Sequence, residues 1–355
     1  MARLEKAVGP KATLSRRGVL AAAPAALLAA CEPGMPTTLS RTPPIDLKGL
    51  GAAVARIAER ARPGALGVGL ANLESGQVFL FNGERRFPMQ SVFKLPLAVA
   101  ALAEVDAGRA VLTERIQILE EQLSAPFSPI GAAWPARRDF TFQALLEAVL
   151  VDSDNTAADV LMKRIGGPGA VTAWLDARRV PEVRVDRYER ELQCESYGMP
   201  SFRPAWRTPE AFSAALRATP PAERAAAQQR YLVDPRDTAT PRGMIEFLRM
   251  LDKDELATPE STRLAVDLMA RTPRAPNRIR AGLPRDAFLA HRPGTSGVDQ
   301  GRSTAHNDVG IFRLADKRAY ALAVFLSGAT LDESGRDAVI ADVTRAAVTA
   351  VGQTP

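Results

Sequence analysis

The sequence predicts an α/β unit that is built from both ends of the chain and joined to an all-α unit formed by its middle. Strand-like runs form a hairpin pattern over residues 65–81, and two further runs occur at residues 308–312 and 320–326. Helical patterns dominate residues 91–270. A catalytic cleft is expected between the two units, because such junctions commonly hold binding sites.

The first half of the α/β unit is predicted for residues 47–90. Residues 47–62 carry apolar side chains at helical spacing, which predicts an amphipathic helix. The runs at residues 65–71 and 78–81 flank the turn residues Glu74-Ser75-Gly76 and therefore predict a β-hairpin.

The helical unit is predicted for residues 91–274 and begins with an Ala-rich helix that extends from Ser91 to about residue 110. The second half of the α/β unit is predicted for residues 275–355. It contains the two later strand-like runs and ends in an amphipathic helix over residues 333–351.

Residues 1–30 have the composition of an export signal, with a basic start, a short apolar run and small residues. Arg16-Arg17 resembles a twin-arginine signal. Leu28-Ala29-Ala30-Cys31 resembles a bacterial lipobox, in which Cys31 is acylated and becomes the mature N-terminus. We therefore expect a periplasmic protein of the bacterial cell envelope that is held to the membrane by lipid on Cys31. Residues 31–46, rich in Pro and Thr, would be the tether, and a plain secretory signal is the alternative.

The basic net charge is largely a property of this N-terminal segment. Residues 1–30 hold five of the 46 basic residues and one of the 40 acidic residues, so the formal charge of +6 falls to about +2 without them. Nucleic acid is therefore not an expected partner. Cys194 has only Cys31 as a possible partner, and two histidines without a Cys/His cluster predict no metal site.

The first chemical motif is Ser91 followed three residues later by Lys94. At a helix start the two side chains share a face, so the lysine amine can reach the serine hydroxyl. A serine is a poor nucleophile unless a base removes its proton, and a partly desolvated lysine can serve in that transfer. An ordinary helix start is the alternative for this motif alone.

The second motif, Ser153-Asp154-Asn155, lies between two helical runs. Ser153 could relay a proton to a leaving nitrogen, and Asn155 could hold a substrate amide. By itself the triplet is more typical of a helix N-cap.

Together, the two motifs resemble the penicillin-recognising serine enzymes, and their separation of 62 residues is close to that of class A β-lactamases. This resemblance implies an antiparallel sheet flanked by helices, with a helical insertion domain and a cleft between them. It also implies a monomer that hydrolyses a small β-lactam substrate and needs no metal or cofactor.

The segment Arg187–Gln193 resembles the start of the class A omega loop. On this resemblance Glu189 is the base that activates the deacylating water, and Gln193 replaces an Asn that helps to hold it. Arg187 would fix the loop through Asp237. The loop, over residues 185–240, is about 35 residues longer than in the family, and a helical stretch near residues 209–229 is expected.

The segment His291–Gly297 lies where class A enzymes carry a Lys-Thr-Gly motif. On this resemblance the backbone N–H groups of Ser91 and Thr295 form the oxyanion hole. Pro293 replaces the Thr, which removes a hydroxyl and a backbone donor. The resemblance assigns substrate contacts to Arg278, Arg292, Gly294, Thr295 and Ser296, with Arg292 in place of the Lys.

These residues imply a two-step acyl transfer in which Ser91 attacks the lactam carbonyl and Glu189-activated water releases the product. Lys94 and Glu189 would take part in removing the serine proton. One alternative is a penicillin-binding protein or DD-peptidase that acts on peptidoglycan, which does not need Glu189. The other is a non-catalytic envelope protein on a β-lactamase fold. Pro293 and the long loop favour this alternative.

Overall fold

The structure is a computed structural model, and it describes residues 43–353. The predicted export signal, the predicted acylation at Cys31 and most of the predicted tether lie outside this range. The fold begins earlier than predicted, because Ile45 is 3% exposed and packs in the core beside the N-terminal helix. Asp46 then caps that helix by accepting a hydrogen bond from the backbone N–H of Gly49.

The described residues form thirteen α-helices: α1 (Leu47–Arg60), α2 (Lys94–Asp106), α3 (Pro129–Ala133), α4 (Phe142–Glu147), α5 (Asn155–Arg164), α6 (Pro168–Ala177), α7 (Glu189–Ser196), α8 (Pro209–Ala218), α9 (Pro221–Tyr231), α10 (Pro241–Asp252), α11 (Pro259–Ala270), α12 (Ile279–Gly282) and α13 (Glu333–Ala350). None of these helices is both long and apolar enough to cross a bilayer.

The same residues form eleven strands: β1 (Ala65–Asn72), β2 (Val78–Phe81), β3 (Phe87–Pro88), β4 (Arg115–Gln117), β5 (Asp139–Thr141), β6 (Thr238–Ala239), β7 (Phe288–Thr295), β8 (Val298–Asp299), β9 (Arg302–Ser303), β10 (His306–Arg313) and β11 (Ala319–Ser327). Five of them form the main sheet in the order β2-β1-β11-β10-β7, with every pair antiparallel. The sheet therefore joins strands from both ends of the chain, and β7 is one of its edges.

The two faces of the main sheet carry different residues because side chains alternate along a strand. On β1, Leu66 and Val68 point into the core that also contains buried residues of α1 and α13. Gly69 points to the other face, where a Cβ atom would come within 2.5 Å of Ile245 on α10. This glycine therefore lets α10 pack directly on the sheet.

The middle of the chain is mainly helical but not wholly so. Strands β4 and β5 form a two-stranded ribbon within it, and β6 pairs with β3. These strands span only two or three residues each, so they are too short for periodicity to reveal and were not predicted within the helical unit.

The lengthened loop between Arg187 and Asp237 folds mainly into α7, α8 and α9. The single helical stretch predicted near residues 209–229 is two helices, because Pro220 and Pro221 interrupt it. Proline removes a backbone donor and is tolerated at a helix start, so α9 begins at the second of the pair.

Candidate active site

Ser91 lies in a one-turn helix, Gln90–Phe93, that leads directly into α2. Its hydroxyl is partly exposed, and Lys94 Nζ lies 3.3 Å from Ser91 Oγ. Gln90, immediately before the serine, has a positive φ of 47°. The predicted Ser–Lys pair is therefore brought together at the opening of a cleft.

Lys94 is buried and surrounded by hydrogen-bond acceptors. Its Nζ donates to the Ser153 carbonyl oxygen at 2.9 Å and to Asn155 Oδ1 at 2.6 Å. Burial lowers the pKa of Lys94 to about 8, while Glu189 opposes this shift. A neutral amine with its two N–H groups used in these bonds keeps its lone pair for the Ser91 proton.

Ser153 follows a π-helical turn and adopts a left-handed conformation with φ of 67°. This backbone conformation is uncommon outside glycine, and it turns the chain from α4 into α5. Asp154 N-caps α5 by accepting from the backbone N–H of Ala157. The triplet is thus both a helix cap and a part of the cleft, since Ser153 and Asn155 line it.

Arg292 is fully buried behind the reacting groups, so the predicted direct substrate contact was wrong for this residue. Its guanidinium donates to the Ser91 carbonyl oxygen at 2.8 Å, to the Leu150 carbonyl oxygen at 3.2 Å and to Ser153 Oγ at 2.6 Å. The planar, multi-donor group therefore ties β7 to both serines at once.

Strand β7 presents one edge to the cleft. Ser296 N donates to the Ala305 carbonyl oxygen at 2.8 Å, so the neighbouring Thr295 N–H points the other way, out of the sheet. This is the orientation that an oxyanion donor requires. Pro293 has the same parity, so its missing N–H removes no hydrogen bond to β10.

Two residues of the predicted substrate set have structural contacts instead. Ser296 Oγ accepts from the backbone N–H groups of Thr304 and Ala305, which fixes the turn after β7. Gly294 packs against the Ser91 turn, where a Cβ atom would lie 2.8 Å from Val92 N. Neither residue lines the cleft.

Arg278 lies at the cleft, but its guanidinium is held by protein groups. It donates to Asp337 at 2.9 Å, to the Asn307 carbonyl oxygen at 3.0 Å and to Thr295 Oγ1 at 2.8 Å. Asp337 also bonds His306 Nε2 at 2.7 Å. Asp337 and His306 belong to no short motif, so the sequence alone did not predict these contacts.

Glu189 is the first residue of α7 and is 1% exposed. Gln193 Nε2 donates to its Oε1 at 2.9 Å, whereas its Oε2 is buried without a hydrogen bond from any described residue. A buried carboxylate oxygen without a hydrogen bond is unfavourable, and a water molecule can supply the donor.

Asp159 on α5 holds the N-terminus of α7 in place, a role that no short motif in the sequence predicted. It accepts from the backbone N–H of Glu189 at 2.6 Å and from Ser124 Oγ, also at 2.6 Å. Burial raises the pKa of Asp159 to about 6, although these hydrogen bonds oppose the shift.

Arg187 and Asp237 form the predicted contact between the two ends of the loop. Arg187 Nε lies 2.5 Å from Asp237 Oδ2, and both side chains are almost fully buried. Asp237 Oδ1 also accepts from the backbone N–H groups of Asp186 and Arg187. Arg187 further pairs with Glu195 at 2.7 Å.

These residues surround a cleft of about 510 Å³. Those that line it include Ser91, Phe127, Ser153, Asn155, Glu189, Gln193, Tyr197, Arg274, Arg278, Pro293, Thr295 and Gly297. Across residues 43–353, no cluster of three His, Cys, Asp or Glu side chains is placed to hold a metal ion.

Cys194 follows Gln193 on α7 but points into a small apolar cluster and is a free thiol. Burial raises the pKa of this thiol to about 12, so it stays protonated near neutral pH.

A nucleophilic serine beside a buried lysine, with a buried carboxylate in the same cleft, defines a serine hydrolase of the class A β-lactamase type. A match to the beta-lactamase enzyme family covers residues 49–351, and the chain belongs to this family.

Known relatives and solved structures agree with this assignment. The chain is 26% identical to the β-lactamase VEB-1 of Pseudomonas aeruginosa over 81% of this chain and 85% of that protein. It is 30% identical to a β-lactamase of Streptomyces lavendulae, with 84% of each chain covered. It also resembles the structure of a class A β-lactamase representing the last common ancestor of Gram-negative bacteria, at a TM-score of 0.69 and 31% identity, over 85% of this chain and 99% of that one.

Proposed function

We propose that the protein hydrolyses the cyclic amide of penicillin- and cephalosporin-type β-lactams through an acyl-enzyme on Ser91. The observation that carries this proposal is the shared cleft of Ser91, paired with Lys94, and Glu189, whose buried Oε2 is available to a water molecule. The first pair supports acylation, and the carboxylate supports release of the product.

In the acylation step, Lys94 accepts the Ser91 proton as Oγ attacks the lactam carbonyl carbon, with Glu189 as the alternative acceptor through water. The backbone N–H groups of Ser91 and Thr295 stabilise the negative charge on the carbonyl oxygen. Ser153 Oγ accepts from Arg292, which leaves its own proton free to pass to the departing lactam nitrogen. Lys94, whose Nζ lies 3.5 Å from Ser153 Oγ, then gives Ser153 the proton that it took from Ser91.

In the deacylation step, Glu189 takes a proton from a water molecule that attacks the ester carbonyl. Gln193 holds the carboxylate through Oε1 and so leaves Oε2 for the water. The ester bond to Ser91 Oγ breaks, the serine recovers its proton, and the ring-opened acid leaves.

We expect acylation to depend on pH through Lys94. Because burial lowers the pKa of this lysine to about 8, the neutral base becomes more populated as the pH rises. The value of kcat/KM for nitrocefin should therefore increase from pH 6 and level off above about pH 8. A kcat/KM that is flat or falling between pH 6 and 8 would contradict the role of Lys94 as the base.

The two alternatives differ from this proposal in what happens after acylation. A penicillin-binding protein would form a stable adduct and turn over slowly, and a non-catalytic protein would form none. The buried Glu189 disfavours both, because neither needs a carboxylate in that position.

The test is nitrocefin hydrolysis by a soluble form that starts at residue 32. We expect multiple turnovers at this chromogenic β-lactam, with a transient adduct of the mass of one opened substrate on the intact protein. A stable adduct without turnover would favour the penicillin-binding alternative. The absence of both turnover and adduct would refute the proposed enzymatic activity.

We further propose that the full chain is exported to the periplasm as a monomer and anchored by lipid on Cys31. The support for export and anchoring is the sequence from Arg16-Arg17 to Cys31, and the monomer is what the resemblance to class A β-lactamases implies. We expect the full-length protein to partition into the membrane fraction and Cys31→Ser to be released from it. Equal membrane partition of the two forms would refute the anchor.

A further inference from the structure

We propose that Tyr231, in the inserted segment of the loop, is a positioning residue that holds the Glu189 carboxylate in its deacylating orientation. It acts through two buried amides, Gln90 and Gln193. This inference rests on the proposed function, because it assumes that Glu189 is the base for deacylation.

A continuous chain of hydrogen bonds joins Tyr231 to Glu189. Gln90 Nε2 donates to Tyr231 Oη at 2.9 Å, and Gln193 Nε2 donates to Gln90 Oε1 at 3.0 Å. Gln193 Nε2 also donates to Glu189 Oε1 at 2.9 Å. All four side chains are less than 9% exposed, so water competes little for these contacts.

The Glu189 carboxylate at one end and the Tyr231 hydroxyl at the other fix the direction of the hydrogen bonds in this chain. Gln193 must turn its Nε2 toward Glu189, because its carbonyl oxygen there would face another hydrogen-bond acceptor. Gln90 must then present Oε1 to Gln193, which directs its Nε2 toward Tyr231. The chain is complete only if a buried acceptor lies at that position, and Tyr231 Oη is that acceptor.

A second contact holds the tyrosine itself. The guanidinium carbon of Arg187 lies 5.9 Å from the Tyr231 ring centroid, on the same arginine that pairs with Asp237. Arg187 Nη2 is buried and donates no hydrogen bond to any described residue, and the electron-rich ring is the aromatic group beside it. Tyr231 therefore links the ion pair at the base of the loop to the residue that precedes Ser91.

Loss of the tyrosine hydroxyl should affect deacylation selectively. Gln90 would be left with a buried, unpaired donor and would turn to find another acceptor, which releases Gln193 from Glu189. The Ser91, Lys94 and Ser153 contacts do not pass through this chain. For a two-step acyl transfer, kcat/KM reports acylation, whereas a slow second step lowers kcat and KM together.

The test is Tyr231→Phe, which keeps the ring over Arg187 and removes only the hydroxyl. With nitrocefin we expect kcat to fall about tenfold, the scale of one displaced buried hydrogen bond, while kcat/KM stays within about twofold. Quenched samples should contain the acyl-enzyme. The matched control is Tyr320→Phe, which removes a buried hydroxyl from the core between the main sheet and helices α1 and α13. This variant should leave kcat unchanged.

Gln90→Met supplies a second, independent variant in case Tyr231→Phe does not fold. It removes both amide contacts, so it should show the same selective loss of kcat, and the double variant should lose no more than about twofold beyond either single variant. Additive losses would overturn the proposal. So would an unchanged kcat, or an equal fall of kcat and kcat/KM.

Glu189→Gln in the same assay separates this inference from the proposed function. If Glu189→Gln accumulates the adduct while Tyr231→Phe turns over like the wild type, only the role of Tyr231 is overturned. If Glu189→Gln turns over like the wild type, the proposed base itself is wrong.

Discussion

Glu189→Gln is expected to stop the reaction at the acyl-enzyme. Glutamine has almost the same shape and can still contact Gln193, but it cannot accept a proton from the attacking water. A positioned general base contributes about 10²–10⁴-fold, so deacylation should slow by that factor while acylation continues. Mass spectrometry of the intact protein after a short exposure to nitrocefin should find one adduct per molecule, which persists after the substrate is removed.

Two further variants serve as controls for this result. Ser91→Ala removes the attacking oxygen, so it should form no adduct at any time. Glu191→Gln is a matched control on the same helix, since this exposed side chain contacts the backbone N–H of Tyr188 and glutamine can keep that contact. It should turn over like the wild type. Wild-type turnover by Glu189→Gln would contradict the assigned base.

The catalytic side chains were predictable because each lies in a short segment whose local geometry decides its neighbour. Ser91 and Lys94 need only one helical turn to meet, and the sequence predicts that turn. The order of the segments then indicates which ones share the cleft, provided that the family resemblance is correct. Glu189 depends on this condition, because alone it reads as a solvated loop acid.

The contacts that were missed join residues far apart in the chain. Gln90 and Tyr231 are separated by 141 positions, and neither lies in a recognisable motif. The positive φ of Gln90 and its place beside the nucleophile are the only local signals, and the first of these is visible only in the structure. Tyr231 lies in the inserted segment, where the resemblance to known proteins offers no guide.

The wrong assignments have a common physical cause. The family resemblance predicted substrate contacts for Arg292 and Ser296, but a side chain's chemistry does not reveal which side of an edge strand it occupies. Arg292 is longer than the lysine it replaces and reaches the Ser91 and Leu150 carbonyls and Ser153, so it is buried. Ser296 has the opposite parity to Thr295 and therefore bonds the following turn.

The loop that carries Glu189 depends on one buried ion pair, so Asp237→Asn is expected to have the largest effect on stability. Asparagine keeps an oxygen for the backbone N–H groups of Asp186 and Arg187, and it tolerates the positive φ of 52° at this position. The Nδ2 group that replaces Oδ2 cannot accept from Arg187 Nε, so the negative charge and this one hydrogen bond are lost together. The variant therefore isolates the ion pair from the shape of the loop.

Breaking a buried ion pair by removing one charge costs about 3–5 kcal/mol. We expect about 3 kcal/mol for Asp237→Asn, because Glu195 and Asp234 still face the guanidinium. At about 2 °C per kcal/mol for a chain of this size, Tm should fall by about 6 °C.

Glu84→Gln is the control, since it breaks the exposed pair with Arg242 and should cost less than about 1 kcal/mol. Deacylation should slow in Asp237→Asn and stay normal in Glu84→Gln. Equal Tm values for the two variants would show that the loop is held by its packing and not by the buried charge.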